Sequence, residues 1–132
     1  MLLTAFLLLA AALLPIVAGG IAKSGSRSSA DNRYDNHEPR AWLERQTDPR
    51  RRRANAAQLN AFEALPFLFA AALFALHARA DLALVNGLML VWVALRAFYL
   101  WCYVNDRATL RSSVWALALM VNIALLFSSF YG

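Results

Sequence analysis

The sequence predicts an all-α membrane protein built as a bundle of four transmembrane helices. Hydrophobic residues make up 61% of the 132 residues, and charged residues make up only 16%. A soluble domain contains about half apolar and about a quarter charged residues, so the chain is too apolar for that class. Four apolar stretches each come close to the roughly 20 residues that a helix needs to cross a bilayer. We therefore expect an integral, multi-pass membrane protein.

The four predicted helices follow one another within a single membrane domain of residues 1–132. The first helix carries no charge, and a cleaved signal peptide is its alternative interpretation. We favour a retained helix because the stretch has no basic start and its apolar run exceeds the usual length of about 7 to 15 residues. The second helix begins with Asp48 and Pro49, a typical N-cap followed by proline at the first helical position. The predicted helices cover about 1–22, 48–78, 82–104 and 107–131, with a polar loop at 23–47.

The positions of the basic residues predict how the chain crosses the membrane. Nine of the thirteen Lys and Arg residues lie between Lys23 and Arg53, and Arg107 and Arg111 lie close to the start of the fourth helix. These two connections are on the same side of a four-span protein, and the positive-inside rule makes that side cytoplasmic. We interpret Arg50–Arg53 as a topology signal and a contact for anionic membrane lipid, and we expect no nucleic-acid partner. The predicted topology has both termini outside and cytoplasmic loops at 23–47 and 105–107.

The residue patterns of disulfides, metal sites, phosphate-binding loops and hydrolytic active sites are missing from the sequence. The single cysteine, Cys102, lies in the third predicted helix and has no partner for an intrachain disulfide. The sequence shows no Cys and His spacing typical of a zinc site, no glycine-rich phosphate loop, and no convincing set of Ser, His and Asp. We therefore predict no metal site, and we interpret Cys102 as a buried core residue.

Two charged residues, Glu63 and Arg96, lie deep inside the predicted membrane spans, away from the helix ends. A charge in the middle of a span costs about 2.5 to 3.5 kcal/mol on insertion scales, which makes it a candidate for function. Glu63 lies ten residues after Arg53 in the second helix. Arg96 lies ten residues before Asp106 in the third helix, so both charges are about 15 Å from the same membrane surface. The equal depth predicts an ion pair between Glu63 and Arg96, either functional or serving only to fix the helix register.

A second group of polar residues lies near the cytoplasmic ends of the last three helices. Residues seven apart differ by about 20° around a helix, so Arg53 and Asn60 share a face. On the third helix, Tyr99 lies one turn from Arg96 and one turn from Tyr103. A helix N-terminus with adjacent arginines suits an anion, such as a carboxylate or a thiolate. The group comprises Arg53, Gln58, Asn60, Tyr103, Arg107, Arg111 and Ser112. Together these residues predict a binding site for a small polyanionic ligand from the cytosol.

Two motifs formed by these residues resemble those of a known superfamily. The second helix, with its polar residues and then Pro66 and Phe67, resembles the signature of the MAPEG superfamily, the membrane-associated proteins in eicosanoid and glutathione metabolism. The region from Arg96 through Tyr103 to the run Arg107–Ser112 is similar to that of its prostaglandin E synthase and microsomal glutathione transferase members. The resemblance covers nearly the whole chain except residues 24–47.

The resemblance implies a homotrimer of four-helix bundles that binds glutathione, as co-substrate, between subunits near the cytoplasmic face. A hydrophobic small molecule would be the second substrate. Arg111 matches the arginine that stabilises the glutathione thiolate, and Ser112 matches a hydrogen-bond donor, so these two are the expected catalytic residues. The expected glutathione-binding residues are Arg53, Gln58, Asn60, Glu63, Tyr99, Tyr103 and Arg107.

The sequence departs from the family pattern at the ends of the first two helices. An arginine often found three residues after the position of Arg53 is Ala56 here. The arginine that members often supply from the end of the first helix has three candidate equivalents, Lys23, Arg27 and Arg33.

Three functions remain open on these observations. The first is a glutathione-dependent transferase or peroxidase of the microsomal type, which the presence of Arg111 favours. The second is a non-catalytic lipid-binding or scaffold protein, which Ala56 favours. The third is a small transporter or proton path using Glu63 and Arg96, although the sequence shows none of the inverted repeats typical of transporters.

Overall fold

The computed structural model describes residues 1–24 and 33–131, and these form a bundle of four long helices with one short helix beside it. One turn of 3-10 helix, Ser128–Phe130, follows the last long helix. The described residues contain no β-strand. The helices are α1 (Leu2–Lys23), α2 (Pro39–Glu44), α3 (Pro49–His77), α4 (Leu82–Val104) and α5 (Ala108–Leu126).

The four long helices have the length and composition of membrane spans, which confirms the predicted all-α membrane class. They contain 22, 29, 23 and 19 residues. At 1.5 Å per residue, α3 is about 44 Å long, whereas the hydrocarbon core of a bilayer is about 30 Å thick. The excess length of α3 accommodates its first turn, where the arginines Arg50–Arg53 lie outside the most apolar segment.

Capping side chains just before the helices explain where α3 and α4 begin. The carboxylate of Asp48 accepts a hydrogen bond from the backbone N–H of Arg50 at 3.0 Å, and Pro49 occupies the first helical position. Asp81 caps α4 in the same way, accepting from the N–H of Leu84 at 2.8 Å. Each cap satisfies a backbone donor that the helix itself leaves unpaired.

Small residues hold α1 close to α3, and larger apolar residues fill the rest of the bundle. Ala11 and Ala18 of α1 and Ala54 of α3 are completely buried. Small side chains let helix backbones approach closely, which is the main way that helices pack inside a membrane. The largest fully buried side chains of the central core are Leu68, Met89, Trp92 and Leu125.

The outer surface of the bundle is apolar, as a lipid environment requires. Each of the four long helices exposes large hydrophobic side chains. In a soluble protein such a continuous apolar surface would be a site of aggregation. Examples are Phe6 on α1, Leu73 on α3, Leu90 on α4 and Met120 on α5.

The part of the predicted loop 23–47 that the structure describes is fastened to the start of α3. Trp42 of α2 is buried, and its ring centre lies 5.1 Å from the guanidinium of Arg51. The ring of Tyr34 packs edge-on against the ring of Trp42. Arg51 also donates a hydrogen bond from Nη1 to Oε1 of Gln46 at 2.7 Å. The connection between α1 and α3 is therefore positioned by α2, next to the end of the bundle where the arginines cluster.

Candidate functional site

Two pockets of the bundle are lined in part by polar residues. The first, which we call the mid-helix cavity, has a volume of about 240 Å³ and lies among α3, α4 and α5. The second, which we call the arginine pocket, has a volume of about 460 Å³ and lies at the end of the bundle near the start of α3. The mid-helix cavity is lined by Asn60, Glu63, Ala64, Phe67, Trp92, Arg96, Trp115, Ala118, Leu119 and Asn122. The arginine pocket is lined by Pro49, Arg52, Arg53, Ala56, Tyr103, Asp106 and Arg111.

In the mid-helix cavity, Arg96 is held by neutral groups. Its side chain is only 4% exposed, and its Nη2 donates to Oδ1 of Asn60 at 2.7 Å and to the backbone oxygen of Asn60 at 3.3 Å. Its guanidinium also lies 4.3 Å from the ring centre of Tyr99 and 5.8 Å from that of Trp92. The faces of aromatic rings attract cations, so the amide and the two rings together replace the water that Arg96 lacks.

The ion pair predicted between Glu63 and Arg96 is not among the ion pairs of residues 1–24 and 33–131, and Asn60 is the partner of Arg96 instead. Glu63 lines the same cavity, but its side chain is exposed on the surface of the bundle. Three residues of helix turn Glu63 about 60° away from Asn60, and this rotation carries the carboxylate outward. Equal depth was therefore insufficient to predict the pairing, because the direction of each side chain decides it.

In the arginine pocket, Arg53 joins the start of α3 to the turn between α4 and α5. Its Nε donates to the backbone oxygen of Val104 at 3.3 Å, and its Nη1 lies 3.9 Å from Oδ2 of Asp106. Asp106 adopts a positive φ of 57°, a conformation that Asp tolerates better than most residues. Arg111 lies on the other side of the turn, with its guanidinium 4.3 Å from the ring centre of Tyr103. The pocket thus combines several cationic groups with one carboxylate.

An aromatic column on α4 connects the two pockets. Tyr99 and Tyr103 are one helical turn apart, and their rings meet edge-on at 5.7 Å between centres. Arg111 packs on Tyr103 at one end, and Arg96 packs on Tyr99 at the other. The cation of the arginine pocket and the cation of the mid-helix cavity are therefore linked by a continuous series of ring contacts.

The comparison with known families agrees with the bundle of four membrane-spanning helices. The model of the MAPEG family matches residues 1–131. The chain belongs to the MAPEG family. Searches of curated proteins and of solved structures gave no match. MAPEG proteins generally use glutathione and are generally trimeric, and the family includes both glutathione-dependent enzymes and non-catalytic members.

The MAPEG bundle brings together only part of the predicted site. Three of the predicted residues line the arginine pocket, namely Arg53, Tyr103 and Arg111. Three others line the mid-helix cavity, namely Asn60, Glu63 and Arg96. Tyr99, 5% exposed, lies between these two groups in the aromatic column.

The remaining three predicted residues line neither pocket. The amide of Gln58 lies against Gly19 of α1, where a Cβ would be 2.6 Å from its Nε2. Ser112 is exposed, and its hydroxyl donates to the backbone oxygen of Ala108 at 3.2 Å within α5. Arg107 is exposed at the N-cap of α5.

Some pocket residues were not predicted as site residues. Arg52 and Asp106 line the arginine pocket, but the sequence alone did not show which arginine of the run Arg50–Arg53 faces it. Trp115 lines the mid-helix cavity, and its spacing of four from Arg111 on one helix face was the available signal. Of the three basic residues considered near the first helix, Lys23 lies 5.1 Å from the ring centre of Tyr34, Arg33 is exposed, and Arg27 is outside the described residues.

Asn122 is the most unusual residue of the mid-helix cavity. It is 4% exposed, and its Oδ1 has no hydrogen-bond partner among the residues that the structure describes. An unsatisfied buried polar group of this kind costs about 1 to 3 kcal/mol. An amide in this position is therefore either a cost without benefit or a group that meets a donor from outside the chain.

Proposed function

We propose that this MAPEG protein is a glutathione-dependent transferase or peroxidase that acts on hydrophobic electrophiles. The supporting observation is the arginine pocket, in which Arg111 and Arg53 lie at the ends of two different helices around one open space. Arg52 adds a third guanidinium to the lining. A cluster of arginines suits a ligand that carries carboxylates and a thiolate.

The residues of the arginine pocket match glutathione in charge. Glutathione has two carboxylates, one ammonium group and one thiol. The three arginines offer partners for the anionic groups, and Asp106 offers one for the ammonium. Arg53 and Asp106 are 3.9 Å apart, so their own attraction is weak enough to be exchanged for contacts with a ligand.

In the proposed reaction, Arg111 stabilises the thiolate form of glutathione. A free thiol has a pKa of about 8.5, and a neighbouring guanidinium favours its deprotonated form. Tyr103 restricts the guanidinium of Arg111 by packing against its face. The thiolate sulfur would then form a bond to an electrophilic carbon or oxygen of the second substrate, whose leaving group departs with the bonding electrons. Ser112 would have to release the carbonyl oxygen of Ala108 before it could donate to the thiolate.

The predicted membrane topology is consistent with this reaction. We propose that the end of the bundle with the arginine pocket faces the cytoplasm, because the basic residues are concentrated there. Both termini are then on the opposite side. Glutathione would enter from the cytosol, and the hydrophobic substrate would enter from the lipid through the mid-helix cavity.

We further propose that the protein assembles as a homotrimer. Glu63 is exposed on the bundle at a depth where a carboxylate facing lipid would cost about 2.5 to 3.5 kcal/mol. A neighbouring subunit would cover this surface and remove that cost. MAPEG proteins are generally trimeric, which supports the same assembly.

The second candidate function is that of a non-catalytic lipid-binding or scaffold member. Ala56 favours it, because this residue lines the arginine pocket at the position where members often have another arginine. With one guanidinium fewer, the pocket would bind a polyanion less tightly. Glutathione binding therefore separates the two functions.

The test uses the purified protein in detergent, with glutathione and an aryl halide as a generic electrophile. We expect thiolate absorbance on adding glutathione, and conjugation of the aryl halide that falls about 10²- to 10³-fold in Arg111→Ala, as is typical when one stabilising donor is removed. Arg40→Ala is the matched control, because Arg40 is an exposed arginine of α2 that lines neither pocket. Absence of glutathione binding at millimolar concentrations would overturn the enzymatic function and favour the non-catalytic one.

A further inference from the structure

Asn122 lies deep in the bundle, far from the arginine pocket. It is eleven residues after Arg111 on α5, which corresponds to about 16 Å along the helix axis. It lines the far part of the mid-helix cavity beside Leu119 and Ala118, which offer no polar atoms from their side chains. Nothing in the proposed glutathione chemistry uses a carboxamide at this depth.

The residues that the structure describes supply no hydrogen-bond partner for the Asn122 side-chain oxygen. Its Oδ1 accepts no hydrogen bond from the described residues, although the amide is enclosed by the chain itself. The other carboxamide of the cavity, that of Asn60, is already used by Arg96. Asn122 is 96% buried within its own bundle, so a donor from outside the chain reaches it through the mid-helix cavity.

The cavity itself has room for a donor. Its volume of about 240 Å³ is much larger than one water molecule needs, and it is lined by the rings of Phe67, Trp92 and Trp115. Aromatic walls with a few polar groups are typical of sites for small apolar ligands. The terminal torsion of an Asn side chain is broad and roughly two-fold, so a half-turn exchanges the amide oxygen and nitrogen and directs the oxygen toward a donor in the cavity.

We propose that Asn122 is a specificity-determining residue that accepts a hydrogen bond from a hydroxyl group on the hydrophobic molecule bound in the mid-helix cavity. The ligand class is an apolar, partly aromatic or aliphatic molecule that carries one hydroxyl. The aromatic rings hold its apolar body, and Asn122 selects its hydroxyl. The proposal rests on the proposed function only in assigning this ligand as the second substrate.

Hydrogen bonding of this kind predicts a definite preference. A net hydrogen bond between neutral groups contributes a factor of about tenfold in affinity. The bound alcohol replaces an unsatisfied acceptor with a satisfied one, whereas a hydrocarbon of the same shape leaves Asn122 as it was. The protein should therefore bind the alcohol about tenfold more tightly.

The test measures binding of 1-naphthalenemethanol and 1-methylnaphthalene by calorimetry, with the protein in lipid discs, no glutathione present, and empty discs as the blank. We expect a preference of about tenfold for the alcohol in the natural protein, and no preference in Asn122→Leu. Leu119→Met is the matched control, because it alters the apolar lining of the same cavity and should retain the preference.

Two further measurements keep the outcome decisive. If Asn122→Leu does not fold, Asn122→Thr takes its place, since its shorter side chain moves the acceptor and should reduce the preference. A preference that persists in these variants, or that is missing from the natural protein, would overturn the proposal. A higher melting temperature of Asn122→Leu would not change that conclusion. Arg111→Ala should weaken glutathione binding and leave the alcohol preference intact, so failure of the proposed function is distinguishable from failure of this inference.

Discussion

Arg96 in the mid-helix cavity and Arg111 in the arginine pocket are arginines of adjacent helices in opposite situations. Arg96 is buried, and its guanidinium is occupied by the amide of Asn60 and by two aromatic rings. Arg111 is half-buried, and its guanidinium packs on a single ring at the edge of an open pocket. The first arginine is already satisfied by the protein, whereas the second has capacity for a ligand.

The contrast reflects how positive charge is stabilised at different depths of a membrane protein. A guanidinium surrounded by protein needs every donor satisfied, because each unsatisfied one would be stranded away from water. A guanidinium near the membrane surface is solvated without a ligand, so a ligand adds to its interactions. We therefore assign Arg96 to the architecture of the bundle and Arg111 to the proposed chemistry.

The largest expected effect comes from breaking the contact between Asn60 and Arg96. Asn60→Leu removes the Oδ1 acceptor and leaves a buried charge with one weaker backbone contact. Leaving a buried charge without its partner costs about 3 to 5 kcal/mol, and we expect the lower end because the backbone oxygen and the rings remain. The free energy of unfolding in a detergent titration measures this cost.

Two control variants separate this contact from the originally predicted ion pair. Arg96→Met in the Asn60→Leu background should recover much of the stability, because it removes the stranded charge. Glu63→Gln should leave the stability of the single bundle nearly unchanged, because Glu63 is exposed and Arg96 has another partner. A loss for Glu63→Gln as large as that for Asn60→Leu would restore the ion pair.

Much of the fold follows from the sequence for simple physical reasons. A membrane excludes water, so a span must be a long apolar helix, and such helices are visible in composition alone. Asp48 and Pro49 begin α3, since an N-cap and a following proline act through local geometry. The docking of α2 was not predicted, because it depends on Trp42 and Arg51 meeting in space.

The candidate site was only partly predictable, because a helix has more than one face. Spacing along α3 placed Asn60 and Glu63 near each other, but it did not show which of them turns toward Arg96. Gln58 carries the right chemistry for a ligand contact, yet it faces Gly19 of α1. These outcomes depend on how the helices rotate against one another, and a single sequence with similar polar residues on several faces does not determine that rotation.

A smaller effect tests the position of Gln58, which belongs to neither pocket. Gly19→Ala would place a Cβ 2.6 Å from Nε2 of Gln58, so the side chain must move. We expect a loss of about 1 kcal/mol in the free energy of unfolding, since overpacking is partly offset by the better helix propensity of alanine. Glutathione affinity should stay unchanged, because the arginine pocket is not altered.

The adjacent glycine supplies the control for this prediction. Gly20→Ala meets no atom within 4 Å, so alanine should stabilise α1 by about 0.5 to 1 kcal/mol. In the Gln58→Ala background, Gly19→Ala should lose its penalty. If the two alanine variants at Gly19 and Gly20 behaved alike, the contact between Gln58 and α1 would be refuted.

The smallest expected effect concerns Asp106 and returns to the arginine pocket. Asp106→Asn keeps a residue that tolerates the positive φ of 57° and removes only the charge that faces Arg53. Asp106 is mostly exposed and the atoms are 3.9 Å apart, so the loss of stability should be about 0.2 to 1 kcal/mol and should shrink in high salt. The affinity for glutathione is the second measurement on this variant, because Asp106 lines the arginine pocket. If Asp106 binds the ammonium group, Asp106→Asn weakens glutathione binding although stability hardly changes, whereas equal binding by both proteins would confine Asp106 to positioning Arg53.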